Sequence, residues 1–467
     1  MARVCPFRAW RYNPQRTPIR QVVTQPYDKI TPAMQESYYQ ASPYNLVRVI
    51  LGKRFEADTA SENVYTRAAA AFQNWRQTGV LQQDSLPSLY RYSQTFAVPG
   101  GQSSPGGPAS SGLPSSAGGP FAERWGFIGL GRIEDYSAGV VFRHEQTLAK
   151  PKADRLDLLR STRAHFGQIF MLYNGAGKVD EIFDAALSAG RPAGSAIAAP
   201  DIEVADEYGV IHRVWKVSEP SVIAHVQEQM REQRLIIADG HHRYETALTY
   251  RNERRQAVSA AAAHDCALGD SAPHDYVMMT FVDMDRPGLV ILPTHRAVSG
   301  LPQSKIDSFS REARQFFNVE EVDPAIDAAR ATVILQQAGL SGTALLVAGR
   351  DRAFLLHTPK SVGKALFGAF SLWQQSLDVV QLHKCLLETC LVISEEAIRD
   401  KKNVSYFRET TEALAQVRDG RVQLAFMMNP VRMKQVRDIA FAGEVLPQKS
   451  TDFYPKLLSG LTIYALD

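Results

Sequence analysis

Apolar and polar positions alternate with two different periods along this 467-residue chain. Short runs of β-branched and aromatic residues, bounded by turn formers, predict strands; apolar positions three or four apart predict helices. Strands are expected at Tyr90–Val98, Trp125–Arg132, Ile169–Tyr173, His212–Val217, Leu235–Ala238, Tyr276–Asp283, Val290–Leu292, Thr343–Val347, Ala353–His357 and Ala425–Met428. A further strand starts at Val140 and ends in the pair His144-Glu145. Helices are expected from Thr31, with Pro32 at the first position where its missing N–H costs nothing, and at Glu56–Gln77. Others fall at Arg155–Arg163 with Asp154 as N-cap, Val179–Leu187, Pro220–Glu232, Leu372–Leu391 and Val431–Ala440, with two more after Gly300.

Strands and helices interleave from end to end with no internal repeat, which predicts a mixed α/β fold. The chain is too long for one ordinary core, so several domains or subdomains are expected. Gly, Ser, Pro and Ala dominate Gly100–Pro120, and both flanks read as strands. This segment is expected to be a flexible insertion in a hairpin loop. It separates an N-terminal segment, 1–98, from a core over 121–300, and a smaller α/β subdomain covers 301–467.

The most informative stretch is Ile236-Ile237-Ala238-Asp239-Gly240-His241-His242-Arg243-Tyr244-Glu245. A buried strand breaks at Asp239-Gly240, and a helix is expected from Tyr244. Such a turn offers free backbone N–H groups and the positive end of the helix dipole, which suits phosphate. Gly240 permits close backbone approach, while His241, His242 and Arg243 add donors and charge. Asp239 is placed to orient a hydroxyl or hold a divalent metal. Adjacent histidines do not suit one zinc ion, since helical ligand pairs need spacings of three or four. Magnesium, held by nucleotide phosphates and one carboxylate, fits the turn better. Neither a Walker-type loop nor a protein-kinase motif set is present.

The Asp239-Gly240-His241-His242-Arg243 box resembles the phosphate-gripping turn of the ParB/sulfiredoxin-like superfamily, in the version carried by free serine kinases. His241 stands where sulfiredoxins need a reactive Cys, and His241-His242 stands where ParB proteins have Glu-Arg. His144-Glu145 is similar to the upstream His-Glu box of the kinases, whose Glu is the proposed base. Over its whole length the chain resembles a long bacterial family catalogued as a domain of unknown function. That likeness is carried by Pro6-Phe7-Arg8-Ala9, Gln25-Pro26-Tyr27-Asp28, Ser42-Pro43-Tyr44-Asn45, His144-Glu145-Gln146-Thr147, Lys152–Arg155 and Leu172-Tyr173. It continues through Leu292-Pro293-Thr294-His295-Arg296, Lys449-Ser450-Thr451 and Phe453-Tyr454-Pro455-Lys456.

The resemblance implies a ParB/sulfiredoxin-like nucleotide-binding core with additions at both ends, and a kinase of free L-serine. It implies ATP, ADP or another nucleotide and Mg2+ as cofactors, with an amino acid as small-molecule substrate. Glu145, Asp239 and His242 are the expected catalytic residues, with Asp239 also the metal ligand. Gly240, His241, His242, Arg243, Lys152 and Arg155 are expected at the nucleotide. His144, Arg163, His295, Arg296, Lys449, Ser450 and Thr451 are expected at the substrate, with His295-Arg296 on a loop able to meet the Asp239 turn. Lys150 adds a nearby cation, and Asp28 follows Tyr27 as a turn cap. The alternative is a non-catalytic nucleotide-binding regulator.

Composition adds only broad limits. Hydrophobic residues make up 45% and charged residues 22%, as expected of a globular enzyme. A net charge of +3 gives no reason to expect nucleic acid. Cys5, Cys266, Cys385 and Cys390 lack metal or redox spacing and are expected to be thiols, Cys385 and Cys390 buried ones. Few cysteines, no signal-peptide pattern and no long apolar run predict a cytoplasmic protein without a membrane span. The sequence does not specify an oligomeric state.

Overall fold

A computed structural model describes residues 1–99, 121–145, 150–191, 197–258, 272–361, 363–400 and 402–467. The Gly100–Pro120 segment and Cys266 thus lie outside the described residues. The fold is mixed α/β, as the periodicity predicts. It comprises two compact units: residues 1–143, 147–289 and 455–467 form the first, and residues 144–146 and 290–454 the second.

In the first unit, nine described strands form one sheet. They are β1 (Val4–Cys5), β2 (Leu89–Ala97), β3 (Phe121–Arg132), β4 (Val141–Arg143), β5 (Ile169–Tyr173), β6 (Ile202–Ala205), β7 (Ile211–Val217), β8 (Leu235–Asp239) and β9 (Tyr276–Asp283). The order across the sheet is β4-β8-β5-β9-β3-β2-β7-β6, with β1 beside β3. One sheet therefore draws strands from both the 1–98 segment and the 121–300 stretch. Strands β2 and β3 pair antiparallel from Tyr90 opposite Ile128 to Ala97 opposite Phe121, so the hairpin continues across the unusual insertion as expected. The polar face of β2 is not solvated. Arg91 forms a buried 2.5 Å ion pair with Asp180 on helix Lys178–Ser188, which covers that face. In the core between the same helix and the sheet, Phe127 stacks on Phe281 and meets Phe183 at a tilt.

Local caps explain where helix starts depart from expectation. The expected helix at Glu56–Gln77 spans only Val64–Gln77, because Asn63 accepts from the N–H groups of Tyr65 and Thr66 and completes a capping box there. The expected start at Arg155 is too late: the helix is Lys150–Thr162. Asp154 therefore lies inside it and is no N-cap; its carboxylate accepts instead from Arg54, Tyr65 and Arg155. Thr31 does cap Pro32–Ala41, accepting from the N–H of Met34.

The second unit has a six-stranded sheet among the described residues: β10 (His295–Val298), β11 (Asn318–Val322), β12 (Ala344–Ala348), β13 (Ala353–His357), β14 (Val404–Phe407) and β15 (Leu424–Met428). Their order is β11-β13-β12-β15-β10-β14. A small ribbon pairs Val290–Leu292 with Asp452–Tyr454. Here the loop expected for His295-Arg296 is corrected. Both residues lie on β10, where His295 pairs with Phe407 and Arg296 with Tyr406 and Phe426, and both are buried. The expected helix Leu372–Leu391 is also corrected. Ser371 caps a single turn at Leu372–Gln375, Leu377 is extended, and Asp378–Gln381 leads into a π-helix at Leu382–Cys390. Cys385 and Cys390 on that π-helix are buried free thiols.

Candidate functional site

In the first unit, β8 lies between β4, which it meets in parallel, and β5, which it meets antiparallel with an irregularity before Asp239. Gly240 follows at φ +94°, a left-handed geometry that glycine adopts at little cost. The helix then begins at His241 and runs to Val258, three residues earlier than the sequence pattern suggests. The Asp-Gly-His-His-Arg box is therefore a strand end, a glycine pivot and a helix first turn, with the backbone donors of that turn at the box itself.

Arg243 folds back over the pivot. A Cβ placed on Gly240 would come within 3.0 Å of the guanidinium, and one on Gly167 within 3.1 Å. The Arg243 guanidinium also donates to the Gln168 carbonyl and to Asp239 Oδ2, the latter at 3.3 Å. Lys456 Nζ stands 4.0 Å from Asp239 Oδ1. Burial opposes ionisation of Asp239, but Lys456, Arg243, Lys29 and His241 outweigh it and hold the carboxyl well below its ordinary range. Asp239 is thus a carboxylate between two cations. Its single negative charge at a phosphate-suited turn fits the one-carboxylate coordination that magnesium takes beside nucleotide phosphates. Among the described residues no cluster of three His, Cys, Asp or Glu side chains is placed to hold a metal.

A cleft of the same unit opens beside this turn, lined by Tyr27, Arg155, Phe166, Arg243, Thr246 and Ser459 among others. The Arg155 guanidinium lies 4.2 Å above the Tyr27 ring and donates to the Ile50 carbonyl at 2.6 Å. Aromatic, apolar and guanidinium surfaces thus share one wall. Arg155 and Arg243 line the same cleft. Lys150 and Lys152 fall on the helix Lys150–Thr162, with side chains outside the description. Arg163 follows that helix at φ +48° with an exposed side chain, and Asp28 is exposed in the single turn Tyr27–Lys29. Tyr27 and Lys456 stood in matching strings without an assigned role; Phe166, Thr246 and Ser459 carried no local signal, because only the tertiary fold brings them to the turn.

The remaining candidates belong to the second unit. His144 is buried, its Nε2 2.6 Å from Thr451 Oγ1 and its ring edge-on to Phe453. Its carbonyl accepts from the Leu446 N–H at 2.8 Å. Glu145 Oε1 accepts from the backbone N–H of Lys449 at 2.8 Å. Lys449 adopts φ +58°, and its side chain is exposed. Ser450 is buried and donates to the Pro447 carbonyl at 2.5 Å. Arg296 donates to the Lys449 carbonyl at 2.9 Å and to the Thr294 carbonyl. His-Glu and Lys-Ser-Thr, about 300 residues apart, are thus one hydrogen-bonded network.

His295 is a strand residue in that network's support. The Met428 N–H donates to its Nδ1, so the neutral ring carries its proton on Nε2 and donates to Thr410 Oγ1 at 2.9 Å. Burial, assisted by Arg296, pulls its pKa down to about 4 and keeps the ring neutral.

These residues belong to a recognised group. The chain is a member of the family described as "Protein of unknown function (DUF1015)", which matches residues 4–107 and 116–380. No curated protein matches it. Similar solved structures include a conserved hypothetical protein from Pyrococcus furiosus, 13% identical with a TM-score of 0.31, covering 67% of this chain and 86% of that one. They also include a free serine kinase in complex with AMP, 12% identical with a TM-score of 0.31, covering 67% and 83%. SbnI with a C-terminal truncation, from Staphylococcus aureus, is 11% identical with a TM-score of 0.32, covering 71% and 85%. Likenesses this remote leave the functional reading to the residues of this chain. No helix among the described residues is long and apolar enough to cross a membrane.

Proposed function

We propose that the protein is a nucleotide-dependent small-molecule kinase that phosphorylates the hydroxyl of free L-serine. The observation that carries the proposal is the turn from β8 through Gly240 into the helix at His241, with Arg243 across it and an aromatic cleft alongside. The backbone N–H groups of this first turn, with His241, His242 and Arg243, would bind the phosphates of ATP or ADP. Tyr27 and Phe166 give the cleft aromatic lining, and Arg155, over the Tyr27 ring, a further cation.

Phosphoryl transfer asks the protein mainly for position and charge. The serine oxygen forms a bond to the terminal phosphorus, the bond from that phosphorus to the nucleotide oxygen breaks, and the hydroxyl proton goes to a base. Glu145 is the proposed acceptor, with its Oε1 held by the Lys449 N–H. Asp239 would position the hydroxyl or hold Mg2+, which when bound offsets charge on the transferring group. Arg163 and Lys449 are exposed cations suited to the substrate carboxylate.

Serine as acceptor rests on the likeness of the His-Glu and Asp-Gly-His-His-Arg boxes to those of free serine kinases. Purified protein incubated with a nucleotide panel, magnesium and the twenty amino acids, followed by phosphorus NMR, tests it. O-phosphoserine is the expected product. Nucleotide binding without any phosphorylated amino acid would leave a nucleotide-binding regulator in its place.

A further inference from the structure

The second unit contains a cavity of about 210 Å³ that the proposed kinase chemistry does not use. A single water needs only about 10–15 Å³ of such space, so a small organic molecule fits. Phe370, Val380, Ile398 and Leu446 give it apolar walls, and His383 and Tyr406 give it polar ones. The π-helix Leu382–Cys390 presents His383, Lys384 and Glu388 to it. Such helices are rare and concentrate at functional sites.

One group lining this cavity and one behind it are incompletely satisfied. His383 Nε2 is buried with no hydrogen-bond partner among the described residues. Burial, then the positive charges of Arg296 and Lys384, pull its pKa down to about 3, so the ring stays neutral and cannot supply a charge. Arg296 is fully buried behind Tyr406, with Cζ 5.4 Å from the ring centroid. Its bonded acceptors are the Thr294 and Lys449 carbonyls and the Met428 thioether, all neutral, and its Nε has no partner among the described residues. Tyr406 and Glu145 add favourable Coulomb interactions that do not offset its burial.

Of the charges lining the cavity, Lys384 pairs with Glu388 at 2.8 Å and lies 3.5 Å from Glu395, which is 82% exposed, so water screens it. What remains is the desolvated positive charge of Arg296, which favours an anion nearby. We propose that this cavity binds a small carboxylate with an apolar body, its carboxylate taking hydrogen bonds from His383 Nε2 and the Tyr406 hydroxyl, its body lying on Phe370, Val380 and Ile398. A carboxylate selects the imidazole tautomer with the proton on Nε2. The cavity wall also reaches the Glu145 network: Leu446 bonds the His144 carbonyl, and the chain runs through Pro447 and Gln448 to Lys449.

The test is a saturation-transfer NMR titration of the full chain without nucleotide, using isovalerate and its uncharged isostere isoamyl alcohol. Isovalerate should bind at least about tenfold more tightly than the alcohol, and His383→Leu should remove that advantage. Circular dichroism establishes whether His383→Leu is folded; if it is not, Tyr406→Phe, which keeps the ring, should weaken isovalerate measurably. Equal affinity for the two probes, binding of neither, or unchanged isovalerate affinity in the folded variants would overturn the proposal. None of these readouts involves phosphoryl transfer, so the outcome is separate from that of the kinase reading.

Discussion

The Asp239–Arg243 turn and the His144-Glu145 network are built in opposite ways. The turn at Asp239–Arg243 is contiguous: a strand end, a glycine and the first helical turn supply its backbone, and Arg243 reaches back over four residues to Asp239. The network in the second unit is assembled from distant chain segments, since Glu145 is fixed by Lys449 and His144 faces Thr451. A contiguous site is positioned by local backbone geometry. A discontinuous one depends on the packing of the whole unit, and here on a backbone N–H at a left-handed residue. Substitutions at the turn should therefore act on ligand affinity, whereas substitutions in the network should divide between chemistry and stability.

The largest expected effect sharpens that contrast. Glu145→Gln keeps the shape and can still accept from the Lys449 N–H, but it cannot take a proton. Turnover should fall by about 10²–10⁴-fold with nucleotide affinity unchanged, measured by steady-state kinetics and calorimetry. Normal turnover would move the base elsewhere, with Asp239 next to be tested.

Arg243→Ala comes second. Charge-assisted hydrogen bonds contribute roughly 1.5–3 kcal/mol, so nucleotide affinity should weaken by about 10- to 100-fold. Calorimetry reads this directly, and unchanged affinity would remove the phosphate-turn reading. The Gln168 and Asp239 contacts of Arg243 make some loss of melting temperature an expected companion.

The same contrast explains what was legible beforehand. The turn could be read because an apolar run followed by Asp-Gly encodes a strand end and a pivot locally; only its helix start was misplaced, since His241 and His242 look like loop residues. Strands such as Tyr276–Asp283 and Ala353–His357 were equally plain from their composition. His295 and Arg296 were misread as a loop because two basic residues seldom occupy a buried strand. Their hydrogen bonds to Thr410, Thr294 and Lys449 permit it, and of these partners Thr410 and Lys449 lie far away in sequence. The break at Leu377 was hidden for a related reason: apolar spacing continues across it, while Ser371 and the π-helix divide the backbone.

A third prediction concerns pH. The cations around Asp239 lower its pKa in the folded protein, so the stability it contributes is present above the unfolded carboxylate value near 4 and is lost as pH falls below it. Asp239→Asn should cost about 1 kcal/mol at pH 7, a figure kept small because the carboxylate is partly exposed to solvent. Denaturant melts of both proteins should converge as the pH drops through 4. A gap that widens in acid would mean that the Lys456 and Arg243 contacts do not stabilise the ionised form.

The smallest expected effect separates the two parts that Lys449 plays. Its backbone N–H holds Glu145, while its exposed ammonium is a candidate for the substrate carboxylate. At φ +58° a residue with a Cβ is strained by about 1 kcal/mol, which Lys449→Gly relieves. Glycine also gives the unfolded chain more freedom, by a similar amount, so net stability should change by less than about 0.5 kcal/mol. The N–H to Glu145 survives in this variant, and the turnover number should therefore be close to that of the unaltered protein. If the ammonium binds serine, KM for serine should rise severalfold with kcat retained. A fall in kcat with KM unchanged would instead mean that the lysine side chain, and not only its backbone, acts at Glu145.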